Sequence, residues 1–182
     1  STATVLGVEN KWVVEDKTVM IERVWITVYS RSEMTRSVDL DFVWIPTDEP
    51  VTLQGAAGKS YGGLTVRFRP PTSKDPSTLI TVPDGPTTGD LSETPLPWAD
   101  YTSRFTESES RSGAAVFVPK THADYPPTWL TRHYGPLCIG WPGVKARTFE
   151  PGELIPLSYR LWVHEGPVET NEIQAAYDAY VR

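Results

Sequence analysis

Strict alternation of apolar and polar residues constrains this chain more than any other feature. In SVDLDFVWIP, Val38, Leu40, Phe42 and Trp44 fall on one face, and Asp39 and Asp41 on the other. In GGLTVRFRP, Leu64, Val66 and Phe68 oppose Thr65, Arg67 and Arg69. In LSYRLWVHEG, Leu157, Tyr159, Leu161 and Val163 oppose Arg160, Trp162 and His164. A period of two places successive side chains on opposite faces of a strand, so each stretch predicts a half-buried antiparallel strand. Residues 4–14, 18–30, 98–105 and 112–118 are rich in β-branched and aromatic types and predict further strands. Short strands separated by Pro, Gly and Asp turns predict an all-β fold, an antiparallel β-sandwich.

Two segments depart from that period. In PVETNEIQAAYDAYVR, Ile173, Ala176, Tyr177 and Tyr180 recur at helical spacing, which predicts one C-terminal α-helix over 168–181. Glu169 and Glu172 in its first turn and Arg182 at its end suit the helix dipole, and the helix is expected to cross a sheet edge or an open end of the sandwich. Residues 70–97 are Pro-rich and hold one small apolar run, TLITV, so they read as a long loop: a lid, a binding loop or a disordered stretch. No internal repeat or linker divides the chain, and its 182 residues suit a single domain spanning 1–182.

Charge and cysteine usage exclude several function classes. The net charge is −6, and no Lys/Arg cluster is long enough to track a phosphate backbone, so no nucleic-acid partner is expected. No apolar run approaches the roughly 18–20 residues that cross a bilayer, so no membrane span is expected. The single cysteine, Cys138, leaves no internal disulfide and no thiolate cluster. The chain begins at Ser1 without a signal-like apolar segment, which leaves the compartment open between the cytoplasm and export after leader removal.

Catalytic signatures are absent: there is no G-x-S-x-G elbow, H-E-x-x-H, Walker loop or dinucleotide fingerprint. The string GAAGKSYGG lacks Walker spacing. His122 and Asp124 form an H-x-D pair, but a surface pair at a turn explains them better than a metal, so no metal and no cofactor is assigned. Paired carboxylates for acid/base work could be drawn from Asp39, Asp41, Asp100 or Glu22; Asp39 and Asp41 share a strand face, and a solvated face explains those two better than an acid/base pair. The aromatic and basic residues are more informative. Trp98, Asp100 and Tyr101 stand together in PWADY, and Trp129, Arg132, His133 and Tyr134 in YPPTWLTRHYG. A sugar offers an apolar C–H face to a ring and hydroxyls to Arg, Asp and His. The candidate binding residues are therefore Arg67, Asp100, Trp129, Arg132, Tyr134 and His164, with a saccharide or other small polar ligand as partner. In strand geometry Trp129 and Arg132 point to opposite faces, so a shared pocket requires irregular backbone there. Two alternatives stand beside saccharide binding. One is an assembly module completing a larger β-sandwich, its aromatics covered by a missing N-terminal half or by another copy. The other is a sugar-processing enzyme (epimerase, lyase or hydrolase) using Asp100 and a histidine as acid and base.

An ordered series of strings resembles a bacterial family of unknown function labelled "methane oxygenase PmoA-like". The strings are ERV (22–24), GGLTVR (62–67), WADY (98–101), GAAVF (113–117), PTWLTRHYG (127–135) and PGELIPLSYRLWVHEG (151–166). The chain is similar to the C-terminal part of such proteins. It departs from their pattern at Leu130, where they carry histidine, and at FVPK (117–120), where they carry F-D-H-P. The resemblance implies a supersandwich-like fold similar to that of sugar mutarotases and an association with polysaccharide breakdown. A membrane methane oxygenase needs spanning segments and a copper or iron site, and this sequence offers neither.

Overall fold

The alternating segments assemble into one large antiparallel sheet in the computed structural model, which describes residues 2–56, 59–70, 76–105 and 110–182. Strands are numbered in chain order. The sheet has eight: β1 (Ala3–Val14), β2 (Lys17–Tyr29), β3 (Thr35–Pro46), β14 (Ile155–Glu165), β10 (Ser112–Phe117), β9 (Trp98–Ser103), β6 (Leu79–Val82) and β7 (Gly85–Pro86), in that spatial order. A second sheet of four runs β5 (Thr65–Arg67), β12 (Pro136–Gly140), β11 (Thr128–Thr131) and β8 (Thr94–Pro95). A short pair joins β4 (Val51–Leu53) to β13 (Arg147–Phe149). The fold is an all-β antiparallel sandwich with one C-terminal helix, α1 (Thr170–Tyr180).

Register follows the sequence pattern. Val38, Leu40, Phe42 and Trp44 of β3 pair with Leu161, Tyr159, Leu157 and Ile155 of β14, so two predicted apolar faces merge into one. With Ile80, Ala99, Tyr101 and Val116, that face packs against Trp129, Leu137 and Ile139 of the small sheet. The opposite face carries Trp98, Ala115 and Phe117, which pack against Ile173 and Tyr177 of α1. Burying a side chain such as Ile173 (0% exposed) stabilises the fold by roughly 1.5–3 kcal/mol. The helix begins at a reciprocal capping box between Glu169 and Glu172. It lies on the middle of the large sheet, over β9, β10 and β14, rather than at an edge or open end as the sequence suggested. The reason is that the outward residues of these strands, Trp98, Ala115, Phe117 and Trp162, are themselves apolar and need a cover.

The expected loop over 70–97 holds three short strands: β6, β7 and β8. The run TLITV supplies β6, and its Ile80 is wholly buried, so this stretch completes the large sheet; residues 71–75 of the expected loop lie outside the described residues.

At the other end, β1 to β3 reach past the small sheet. Val5, Leu6, Val13 and Val14 of β1 are each 57–60% exposed. The β1–β2 hairpin closes through Glu15 and Asp16, whose φ values of 47° and 65° are both left-handed, as a tight two-residue hairpin turn requires.

Candidate functional site

Of the six residues picked from sequence, Asp100 and His164 meet directly. They stand on β9 and β14, one strand (β10) between them, on the helix-bearing face. His164 Nε2 lies 3.0 Å from Asp100 Oδ1, and the Thr102 hydroxyl donates to Asp100 Oδ2 at 2.7 Å. His164 Nδ1 lies 2.9 Å from the Gly166 carbonyl, which can only accept, so Nδ1 carries a proton. The third neighbour is Gly113 of β10: a Cβ there would sit 2.7 Å from His164 Nε2 and 2.4 Å from the Tyr101 carbonyl. Glycine at 113 therefore makes the room for the imidazole. Asp100 and His164 are 0% and 1% exposed. The pair offers no atom to solvent, and it ties β9 to the end of β14 and the start of the α1 connection.

The other four residues are dispersed. Trp129 is wholly buried, its indole N–H donating to the Leu96 carbonyl at 2.8 Å, and it presents no ring face to solvent. Arg132 is fastened to the 90–92 segment: Nη1 donates to the carbonyls of Leu91 and Thr131 at 2.8 and 2.9 Å, and Nη2 to Ser92 Oγ at 3.2 Å. Neighbouring His133 donates its backbone N–H to Asp90 Oδ1 at 2.9 Å, with its Nδ1 2.9 Å from the same oxygen. Burial opposes ionisation of Asp90, but these His133 bonds and the Arg132 charge outweigh it and hold its carboxyl below the usual value. Arg67 and Tyr134 share a shallow recess with Phe68, at the far end of the small sheet. Gly135 (φ 136°) lets the hairpin there close on Phe68, whose carbonyl would stand 2.1 Å from any added Cβ.

A different group converges. Where β1–β3 emerge from under the small sheet, Trp12, Glu22, Phe42, Trp44, Leu64 and Tyr159 line a cleft of about 250 Å³. Strand parity puts all of these but Leu64, which stands before β5 of the small sheet, on the inner face of the large sheet: Trp12 pairs with Met20, Glu22 with Trp44, and Phe42 with Leu157. A register shift between Trp12 and Val13 marks a bulge, a device that re-aims a side chain at a sheet edge. The Trp12 and Trp44 rings lie 5.0 Å apart at 60°. Glu22 is oriented from two sides, by the Trp44 indole N–H at 2.7 Å to Oε2 and by Asn10 Nδ2 at 2.9 Å to Oε1. Below the cleft, Trp44 meets Trp141 at 5.7 Å, and His122 packs within 6.1 Å of Tyr159 and 6.4 Å of Trp141. Burial lowers the His122 pKa and raises that of Tyr159, so both rings are neutral near pH 7. A larger hollow of about 670 Å³ beside the β1–β2 turn is rimmed by Lys11, Lys17, Asp48 and Glu49 and has no aromatic wall. Among the described residues, no three His, Cys, Asp or Glu side chains stand together as a metal site, and no helix is long and apolar enough to cross a membrane.

Sequence reading placed Phe42 and Trp44 on one face but could not bring Trp12, Glu22 and Leu64 beside them. Those contacts depend on strand register and on how the two sheets diverge.

The model of a family of unknown function (DUF6807) matches residues 1–178, and the chain belongs to that family. No protein of curated description and no solved structure matches it.

Proposed function

We propose that this member of the family binds a saccharide in the cleft between Trp12, Trp44 and Leu64. The observation that carries the reading is an open aromatic cleft with one oriented carboxylate, Glu22, in its wall. A pyranose face stacked on one ring hides about 50 Å² of apolar surface, worth roughly 1 kcal/mol. Trp44 is 8% exposed and offers little ring face, so stacking on Trp12 gives about 1 kcal/mol and a hydrogen bond to the carboxylate adds roughly 1.5–3 kcal/mol. The sum, about 2.5–4 kcal/mol, reaches at most the ~4 kcal/mol of a millimolar dissociation constant, so one sugar unit binds weakly. The cleft volume of about 250 Å³ suits a single ring with the rest of a chain running into solvent.

A glycan array followed by calorimetry on neutral and acidic oligosaccharides tests the reading. Trp12 is half-buried on the edge strand at the margin of the core, so Trp12→Ala leaves the fully buried side chains in place. It is expected to weaken binding about fivefold, from the loss of roughly 1 kcal/mol of stacking. Silence across the panel by a folded protein refutes saccharide binding.

The second reading, an assembly module, draws on the apolar residues of β1 and β2. Val5 and Trp25, on the face opposite the cleft, are 60% and 41% exposed, and Leu6, on the cleft side, is 57% exposed. Light scattering behind size exclusion separates the two: a monomer across the micromolar range argues against self-assembly through this arm.

A further inference from the structure

β1 is the first strand of the large sheet, and among the described residues no strand pairs with its outer edge. That open edge runs from Ala3 to Val14, and Val5, Leu6, Val8, Val13 and Val14 on it are exposed. A long, apolar, unpaired edge is a template for another strand, because its outward N–H and C=O groups lack partners.

Which groups point outward follows from the ladder. The Ser30 N–H donates to the Thr2 carbonyl at 2.9 Å, so these two residues form a hydrogen-bonded pair. Such pairs alternate along an antiparallel ladder, and the β1–β2 register is regular from Ala3 to Trp12. Even-numbered residues of β1 therefore bond to β2, while Ala3, Val5, Gly7, Glu9 and Lys11 turn their backbone groups to the open edge. When two copies of β1 meet antiparallel, odd-numbered residues must face odd-numbered ones.

Charge chooses among the registers that remain. Glu9 and Lys11 are the charged residues of β1, and both are exposed. With Asn10 on the two-fold axis, Glu9 of each copy stands directly opposite Lys11 of the other. An axis at Glu9 or at Lys11 sets like charges against each other, and an axis at Val8 or Gly7 leaves both charges facing uncharged residues. Opposite charges directly across a strand pair stabilise it, and like charges destabilise it. The Asn10 register also lays Val8 against Trp12 and Leu6 against Val14. Arg23 Nε donates to Glu9 at 3.0 Å from β2, so Glu9 then stands between two cations.

We infer that two copies of this chain join edge to edge through β1, antiparallel, with Asn10 on the two-fold axis. The inference rests on the assembly reading and gives it a partner. It is separate from saccharide binding, because the pairing lies in the plane of the sheet and the cleft lies on its inner face.

Light scattering behind size exclusion on the whole chain is expected to show a dimer in the micromolar range. Lys11→Glu leaves only acidic side chains at the paired positions, and Glu9→Lys only basic ones, so each variant is expected to dimerise about tenfold more weakly or worse. An equal mixture of the two restores opposite charges and is expected to dimerise as the parent does. Both substitutions fall on exposed side chains, and unchanged melting shows that the fold is kept. Asn10→Cys is expected to cross-link two copies on oxidation, since residues opposed at a non-hydrogen-bonded site stand about 4.5 Å apart at Cα, within disulfide reach. Val8→Cys is expected not to cross-link, and the native Cys138 is buried and does not compete. A parent that stays monomeric, the result expected if a different segment covers this edge, overturns the pairing and self-assembly together. A dimer that Lys11→Glu leaves intact, a mixture that stays monomeric, or cross-linking through Val8→Cys overturns the register and leaves self-assembly standing.

Discussion

Replacing Asp100 by alanine perturbs a fully buried polar contact. The carboxylate accepts from Thr102 at 2.7 Å and faces His164 Nε2 at 3.0 Å, and both Asp100 and His164 are at most 1% exposed. Alanine leaves the threonine hydroxyl and His164 Nε2 with only their long 3.5 Å contact to each other where water does not reach. Each stranded group costs about 1–3 kcal/mol, and breaking a buried pair from one side costs about 3–5 kcal/mol in all. Total stability for a domain is about 5–15 kcal/mol, so a large part of it is at stake. With a urea dependence of about 2 kcal/mol per molar, the unfolding midpoint at pH 7 is expected to fall by roughly 1.5–2.5 M. Replacing both partners with apolar residues of similar size, Asp100→Val with His164→Leu, is expected to recover much of that loss, because neither member of the pair is then left to face an empty site. A midpoint shift below about 0.5 M for Asp100→Ala refutes the reasoning, since it means that water solvates the pair.

Two further outcomes can be checked by the same unfolding measurements. Glu15→Asn with Asp16→Gly puts residues that tolerate left-handed backbone into the β1–β2 turn, where φ is 47° and 65°; urea unfolding should show a gain of about 1 kcal/mol, and a loss would mean that the side chains at 15 and 16 hold the turn. Burial lowers the pKa of His122 in the folded state from its ordinary 6.5, so the unfolded chain binds the extra proton first as pH falls. The stability of the neutral, folded form is complete above about pH 6.5 and is lost as pH drops from there toward the lowered folded-state pKa, by at most ~1.4 kcal/mol per pH unit. Between pH 7 and pH 5 the parent should therefore lose more stability than His122→Gln, and parallel profiles for the two would contradict the assignment.

The parts of the fold that local pattern determines were legible. Alternation located β3, β5 and β14, β-branched and aromatic content located β1, β2, β9 and β10, and the 3.6-residue stripe of Ile173, Ala176, Tyr177 and Tyr180 located α1 to within two residues. Proline content misled over 70–97, because a four-residue strand such as β6 can sit between turns and still be wholly buried at Ile80. The site was less legible. Asp100 and His164 were singled out by residue type, and their contact runs across β10, which no local pattern reveals. Trp129 was read as a rim residue because indoles are useful at binding sites, yet its strand points it into the core, where Leu96 takes its N–H. Trp12 drew no notice because an isolated tryptophan carries no motif, and Glu22 stood out only as a candidate carboxylate and as part of the ERV string, with nothing to tie it to an aromatic wall. They come together with Trp44 only through the pairing of β1 with β2 and of β2 with β3.

A crystal structure of the chain with the tightest-binding oligosaccharide of the array tests the central claim most directly. The account predicts one sugar ring in the cleft, its face against Trp12 and a hydroxyl donating to Glu22. A sugar bound at the Arg67–Tyr134 recess, or a cleft closed by another copy of the chain, would contradict it.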